Sequence, residues 1–87
     1  MNLLRDQDYF AMRAPASLGV ADVVALRNGD RPMLIECKST RAGPNAGFPP
    51  ADRADLSFAA KLAGAEAWLY WHPPRAKAVW LAESDWP

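Results

Sequence analysis

The sequence predicts an α/β domain with a mixed β-sheet, in the order α-β-β-β-α-β-β with a truncated first helix. Three observations predict this class. Short β-branched and apolar runs alternate with turn residues, and one alanine-rich segment has helical spacing. The chain of 87 residues is also long enough for only one domain, residues 1–87.

The first half of the chain predicts three strands. Met1–Gln7 resembles the last turns of an amphipathic helix, and Tyr9–Arg13 is typical of a short strand that ends in a loop. Asp22–Leu26 and Pro32–Lys38 flank an Asn-Gly pair, the strongest short-range hairpin signal in the sequence. We therefore expect these two segments to form an antiparallel hairpin.

The second half predicts a helix and two further strands. Ser39–Pro50 is rich in glycine and proline and should be a loop. Ala51–Ala63 has a helical composition and Gly64 follows it as a cap, before strands at Ala67–Trp71 and Ala78–Leu81. The spacing predicts that one helix side is buried through Leu56, Phe58, Ala59, Leu62 and Ala63.

Composition narrows the classes of function. Ten Lys and Arg offset ten Asp and Glu, so a DNA-binding hypothesis depends on where the basic residues lie. No apolar run predicts a membrane span, and no leader predicts export. The single Cys37 suits a reducing cytoplasm, and the single His72 offers no zinc pattern. The glycine spacing does not predict a nucleotide cofactor.

Three polar residues form the candidate catalytic site: Asp22, Glu36 and Lys38. Side chains alternate across a strand, so Glu36 and Lys38 share one face, and Cys37 points to the other. Charges framed by an apolar run are costly to bury unless they are paired or bind a cation. Mg²⁺ between the two carboxylates would remove that cost, since it prefers oxygen ligands. Lys38 would then hold the attacking water or stabilise charge on a phosphate.

The hairpin register tests this hypothesis. A plain two-residue turn would put Asp22 opposite Ile35, so that Asp22 and Glu36 would lie on opposite faces. A loop with an odd number of residues, or a bulge near Pro32, would instead put Asp22 opposite Glu36. We predict the second register, in which Leu26 is opposite Pro32.

Simpler interpretations stay open from the residues alone. Asp22 could be an ordinary aspartate at a hairpin end, and Glu36 with Lys38 could form an ion pair on a half-solvated strand. Arg13 and Arg41 could be surface cations. The four tryptophans are expected in the core or at a subunit contact rather than stacked on bases.

The motifs resemble a known pattern. Arg13-x-x-x-Ser17-x-Gly19-x-x-Asp22, followed by Glu36-Cys37-Lys38-Ser39, is similar to the PD-(D/E)xK nuclease superfamily. Within it, the sequence resembles archaeal-type Holliday junction resolvases, which also occur in phages. The resemblance is detailed from about Tyr9 to Lys38, and agrees only in element order as far as about Leu81.

The resemblance implies a restriction-endonuclease-like core and a metal-dependent endonuclease that acts on four-way DNA junctions. Asp22, Glu36 and the Cys37 carbonyl would be ligands of Mg²⁺, for which Mn²⁺ could substitute, and Lys38 would be the catalytic lysine. Two symmetric cuts imply a homodimer. The DNA-binding residues would be Arg13, Ser17 and Arg41.

One departure from the family pattern leaves alternatives open. Such nucleases usually carry a glutamate on the first helix, and Asp6 and Asp8 lie too close to Tyr9 to replace it naturally. Either the chain is shortened at its start or the protein manages without that ligand. The alternatives to a junction resolvase are another DNA nuclease of the same superfamily, of the replication-repair type, and a nuclease-fold DNA-binding module that does not cleave.

Overall fold

A five-stranded β-sheet organises the chain in a computed structural model that describes residues 9–13, 21–27, 29–43 and 47–86. The elements, in chain order, are β1 Phe10–Arg13, β2 Val23–Leu26, β3 Met33–Lys38, α1 Pro50–Ala63, β4 Glu66–Trp71, β5 Val79–Ala82 and a 3₁₀ turn at Glu83–Asp85. The predicted strands and helix are confirmed, and the 3₁₀ turn was not predicted. The helix predicted at Met1–Gln7 lies outside the described residues.

The sheet is mixed and follows chain order, β1-β2-β3-β4-β5. Three pairs of neighbouring strands are antiparallel, namely β1 with β2, β2 with β3, and β4 with β5. The helix α1 connects β3 to β4, and this long connection lets the two strands pair in parallel. The predicted α/β class with a mixed sheet is confirmed.

The register between β2 and β3 matches the prediction that brings the two carboxylates together. It is defined by three pairs, Val23 with Ile35, Val24 with Leu34 and Ala25 with Met33. Extended by one residue at each end, it places Leu26 opposite Pro32 and Asp22 opposite Glu36. The turn is closed by a salt bridge from Arg27 Nε to Asp30 Oδ2 and by a hydrogen bond between their backbones.

Prolines at its start and a glycine at its end set the bounds of the helix α1. Pro49 has an extended backbone, and Pro50 occupies the first turn, where a missing N–H costs nothing. At the other end Gly64 adopts a left-handed conformation with φ of 65°, and its N–H bonds to the carbonyls of Ala60 and Lys61. The predicted glycine cap is confirmed.

The buried side of α1 differs from the prediction. Leu56 and Ala60 are buried, whereas Phe58 is 64% exposed and Leu62 is 74% exposed. Leu56 and Ala60 are four residues apart and lie on one face, while Phe58 is two residues from each and therefore points away. The helix thus has two apolar sides. The side with the smaller side chains, Leu56 and Ala60, packs on the sheet, and the side with Phe58 and Leu62 does not.

Apolar side chains are buried on both faces of the sheet. One cluster is centred on residues of the first three strands, namely Ala11, Val23, Ala25, Met33 and Ile35. The other lies between the sheet and α1 and comprises Phe48, Leu56, Ala60, Ala65, Ala67 and Leu69. In the described part of the chain, α1 is not long and apolar enough to span a membrane.

Candidate active site

The predicted catalytic residues lie at the end of the β2–β3 hairpin that is farther from its turn. Asp22 immediately precedes β2, and Glu36 and Lys38 are in the last half of β3. Glu36 and Lys38 alternate with Ile35 and Cys37, so they lie on the same sheet face as Leu34, which packs on the helix side. The hairpin register thus brings two carboxylates and one ammonium group to one place.

Two hydrogen bonds hold Asp22 at the end of the ladder. Its N–H donates to the Ile35 carbonyl at 2.9 Å, and its Oδ2 accepts the N–H of Cys37, also at 2.9 Å. The carboxylate therefore takes the place that a backbone carbonyl of β2 would occupy beside Cys37. This contact fixes the orientation of the carboxylate relative to β3.

The electrostatics show that the carboxyl groups of Asp22 and Glu36 interact strongly. Burial, followed by the hydrogen bond and the charge of Asp22, raises the pKa of Glu36 from 4.5 to about 7, against the opposing charge of Lys38. The pKa of Asp22 is lowered, chiefly by the hydrogen bond with Glu36. At neutral pH the pair thus shares a proton part of the time.

A third carboxylate and an arginine also influence the pair. The charge of Asp52, in the first turn of α1, contributes to raising the pKa of Glu36. The charge of Arg13, the last residue of β1, lowers the pKa of Asp22. The charge of Arg13 therefore acts on the site, and its role in DNA binding stays a prediction. The influence of Asp52 was missed because no sequence pattern fixed the position of the helix.

Cys37 contributes to the site through its backbone N–H, which binds the carboxylate of Asp22. Burial, followed by the charges of Asp22 and Glu36, raises the pKa of its thiol from 9.0 to about 11. The thiol is therefore protonated at neutral pH and is a poor nucleophile. Its N–H binds Asp22, and the residue lies between Glu36 and Lys38 in the strand.

Lys38 is enclosed by neighbouring segments. Its carbonyl accepts the N–H of His72 at 2.8 Å, and Trp71 lies directly beside it in β4. A methyl group built on Gly47 would lie 3.9 Å from Lys38 Nζ, so Gly47 approaches the ammonium group. The contacts of Trp71 and Gly47 were not predicted, since they depend on how β4 and the loop return to β3.

The donor set suits a hard divalent cation. Two carboxylates that repel each other gain most from a shared positive charge, and Mg²⁺ takes one or two carboxylates together with waters. Within residues 9–13, 21–27, 29–43 and 47–86, no group of three His, Cys, Asp or Glu side chains is arranged to hold a metal. Asp22 and Glu36 fit a site that binds metal through two side chains, with backbone and water oxygens completing the shell.

Of the two other predicted DNA-binding residues, only Arg41 lies in the described part of the chain. Ser17 lies outside the described residues. Arg41 is exposed in the segment that follows β3, three residues after Lys38 in the chain.

Comparison with known proteins identifies the family. A family model of the archaeal Holliday junction resolvase (Hjc) matches residues 1–85. The chain belongs to the Hjc family. This confirms the resemblance inferred from the motifs that include Asp22 and Glu36.

A solved Hjc structure has the same fold. The Holliday junction resolvase Hjc of Archaeoglobus fulgidus, an archaeal hyperthermophile, superimposes with a TM-score of 0.77 and 26% sequence identity. The match covers 94% of this chain and 65% of that one, so this chain spans about two thirds of its structural relative. No curated protein matches the sequence.

Proposed function

We propose that the protein is a metal-dependent endonuclease that resolves four-way DNA junctions by phosphodiester hydrolysis. The observation that carries the proposal is the interacting carboxyl pair of Asp22 and Glu36 beside Lys38, in a chain of the Hjc family. The relative from Archaeoglobus fulgidus is described as a Holliday junction resolvase, which supports the same substrate here.

Mg²⁺ is the proposed cofactor, and Mn²⁺ is expected to substitute for it. Asp22 and Glu36 would hold the ion through their side chains, and Cys37 through its carbonyl. A bound Mg²⁺ supplies positive charge that activates a water and polarises a phosphate. The pKa of Glu36 is raised by burial and then by Asp22, and this supports the role, because a bound cation would favour the ionised form of both carboxyl groups.

The remaining residues would bind and orient the DNA backbone. Lys38, as the proposed catalytic lysine, presents an ammonium group on the carboxylate face of β3, where it can donate to the attacking water or to a phosphate oxygen. Arg13, Ser17 and Arg41 are the proposed phosphate contacts. The positive charges of Arg13 and Arg41 would make binding weaken as salt is added.

A homodimer is proposed because paired nicks across a junction need two sites. Large apolar side chains remain exposed on this single chain, and a second copy could cover them: Phe10, Met12, Leu26, Phe58 and Leu62. Sedimentation should then give twice the 9.6 kDa mass of the chain. Because four-way junctions arise where DNA recombines, the expected location is the cytoplasm of a prokaryotic or phage-infected cell.

The test is a nicking assay on a synthetic four-way junction, a flap and a linear duplex, each with Mg²⁺ and with EDTA. We expect paired nicks in the junction that require Mg²⁺, and at least about a 100-fold loss of rate in Asp22→Asn. Lys77→Ala, an exposed change in the connection between β4 and β5, is the control.

Other outcomes would favour other functions. Equal cutting of the flap or the duplex would favour another nuclease of the superfamily. Tight junction binding without cleavage in Mg²⁺ or Mn²⁺ would favour a DNA-binding module. Nicking that is unchanged in Asp22→Asn would contradict the proposed site itself.

A further inference from the structure

The segment that directly follows the catalytic-lysine position is built as a short turn. We call residues 39–43 the post-lysine segment. Within it, Thr40 Oγ1 donates to the carbonyl of Gly43 at 2.5 Å, and Gly43 has a φ of 106° that favours glycine. Arg41 lies inside this turn and is exposed. The position of Arg41 relative to Lys38 therefore depends on how the turn is held.

Trp71 holds this turn from the neighbouring strand. The indole Nε1–H of Trp71 donates to the carbonyl of Thr40 at 2.8 Å, and the contact is partly buried. Trp71 is paired with Lys38 in the parallel register of β3 and β4, so it lies immediately beside the lysine. An indole nitrogen can only donate, and a loop carbonyl needs a donor when it is shielded from water.

The residues just before α1 are held by contacts of their own, which do not involve the post-lysine segment. Phe48 is fully buried, and its ring meets that of Trp86 edge-on with centroids 5.1 Å apart. Arg53 Nε donates to the Phe48 carbonyl at 3.0 Å. These contacts fix the entry into α1. The hydrogen bond from Trp71 instead restrains the post-lysine segment from the neighbouring strand.

We propose that Trp71 is a positioning residue, which orders the post-lysine segment so that Arg41 contacts a DNA phosphate next to the cleavage site. This inference rests on the proposed nuclease function. Without the indole hydrogen bond, the segment must lose conformational freedom when DNA binds, and this entropy cost weakens binding. The carboxyl pair does not depend on the bond, so the effect falls on affinity rather than on the chemical step.

The experiment measures binding of a labelled four-way junction in EDTA, over a range of salt concentrations, for wild type and Trp71→Phe. We expect about 5- to 10-fold weaker binding in Trp71→Phe, as for the loss of one hydrogen bond. The slope of log affinity against log salt should also fall by about 0.9, the value of one lost phosphate contact. The control is Trp80→Phe, the same change at a half-buried ring that contacts Tyr70 and Trp68 on the other sheet face.

A double-mutant cycle with Arg41→Ala makes the test specific. If Trp71 acts through Arg41, then Trp71→Phe has no further effect on affinity or slope in the Arg41→Ala background. Thr40→Val removes the turn hydrogen bond without touching the strand. It should lower the slope as Trp71→Phe does, and it replaces that variant if a thermal melt shows that Trp71→Phe does not fold.

Each contrary result has a definite meaning. Additive losses in the double mutant, an unchanged salt slope, or an equal loss in Trp80→Phe would overturn the positioning role while leaving the nuclease proposal intact. A wild-type protein that binds neither the junction nor linear duplex would overturn both.

Discussion

The two halves of β3 pair differently and carry different side chains. All six residues of the strand pair with β4, but only Met33, Leu34 and Ile35 pair with β2. The first half is largely buried and apolar, whereas the second half, Glu36 to Lys38, is half-buried and polar. The side chain of Asp22 accepts the N–H of Cys37 where the β2 ladder has ended.

This difference shows how the fold makes room for a charged site without losing backbone hydrogen bonds. Ending β2 early opens the sheet on one side of β3, and the Asp22 carboxylate satisfies the exposed N–H in its place. The opening brings two acids together, and the raised pKa of Glu36 reports the resulting free-energy cost. The first half of β3 should therefore stabilise the fold, and the second half should destabilise it when no metal is bound.

The largest expected effect is in the first half of β3. Ile35 is fully buried in the cluster on the sheet face opposite α1. Ile35→Ala is expected to lower the free energy of unfolding by about 2–5 kcal/mol, because it removes buried methyl groups and leaves a cavity. Urea denaturation at fixed protein concentration measures the change, and the exposed Lys77→Ala should stay within about 0.5 kcal/mol of wild type. A similarly small change in Ile35→Ala would contradict its role in the core.

In the second half of β3, a substitution of Glu36 is expected to change the free energy of unfolding by a smaller amount and to raise it. The folded chain holds a proton on Glu36 that the unfolded chain releases, so wild-type stability falls as pH rises from 4.5 to about 7 and is level above that. Glu36→Gln removes this fall. In EDTA at pH 8 it should raise the free energy of unfolding by about 1 kcal/mol, after allowance for solvent screening of a half-buried group.

Urea denaturation between pH 4 and pH 8 measures this effect. Asp55→Asn, which removes an exposed acid of α1, is the matched control and should keep the wild-type pH dependence. If Glu36→Gln destabilised the protein at pH 8, the contrast between the two halves of β3 would be wrong.

The residues that could be predicted from the sequence are those whose neighbours are set by short connections. The turn sequence left two registers open for β2 and β3, and the requirement that Asp22 and Glu36 share a face for metal binding selected the one that the structure has. The cap at Gly64 is likewise a local property of the chain.

The missed contacts depend on long connections. Trp71 lies beside Lys38 only because β4 returns in parallel after the loop and α1, and no turn geometry fixes that register. The exposure of Phe58 and Leu62 was missed for a similar reason. An alanine-rich helix has more than one apolar side, and its spacing alone does not determine which one meets the sheet.

The most direct test of the account is the effect of Mg²⁺ on stability at pH 8. At a Mg²⁺ concentration ten times its Kd, the free energy of unfolding of wild type should rise by about 1.4 kcal/mol relative to EDTA. Asp22→Asn and Glu36→Gln, measured at the same concentration, should show little or no rise. An equal rise in all three proteins, or no rise in wild type at any Mg²⁺ concentration, would contradict the claim that these two carboxylates bind a divalent cation.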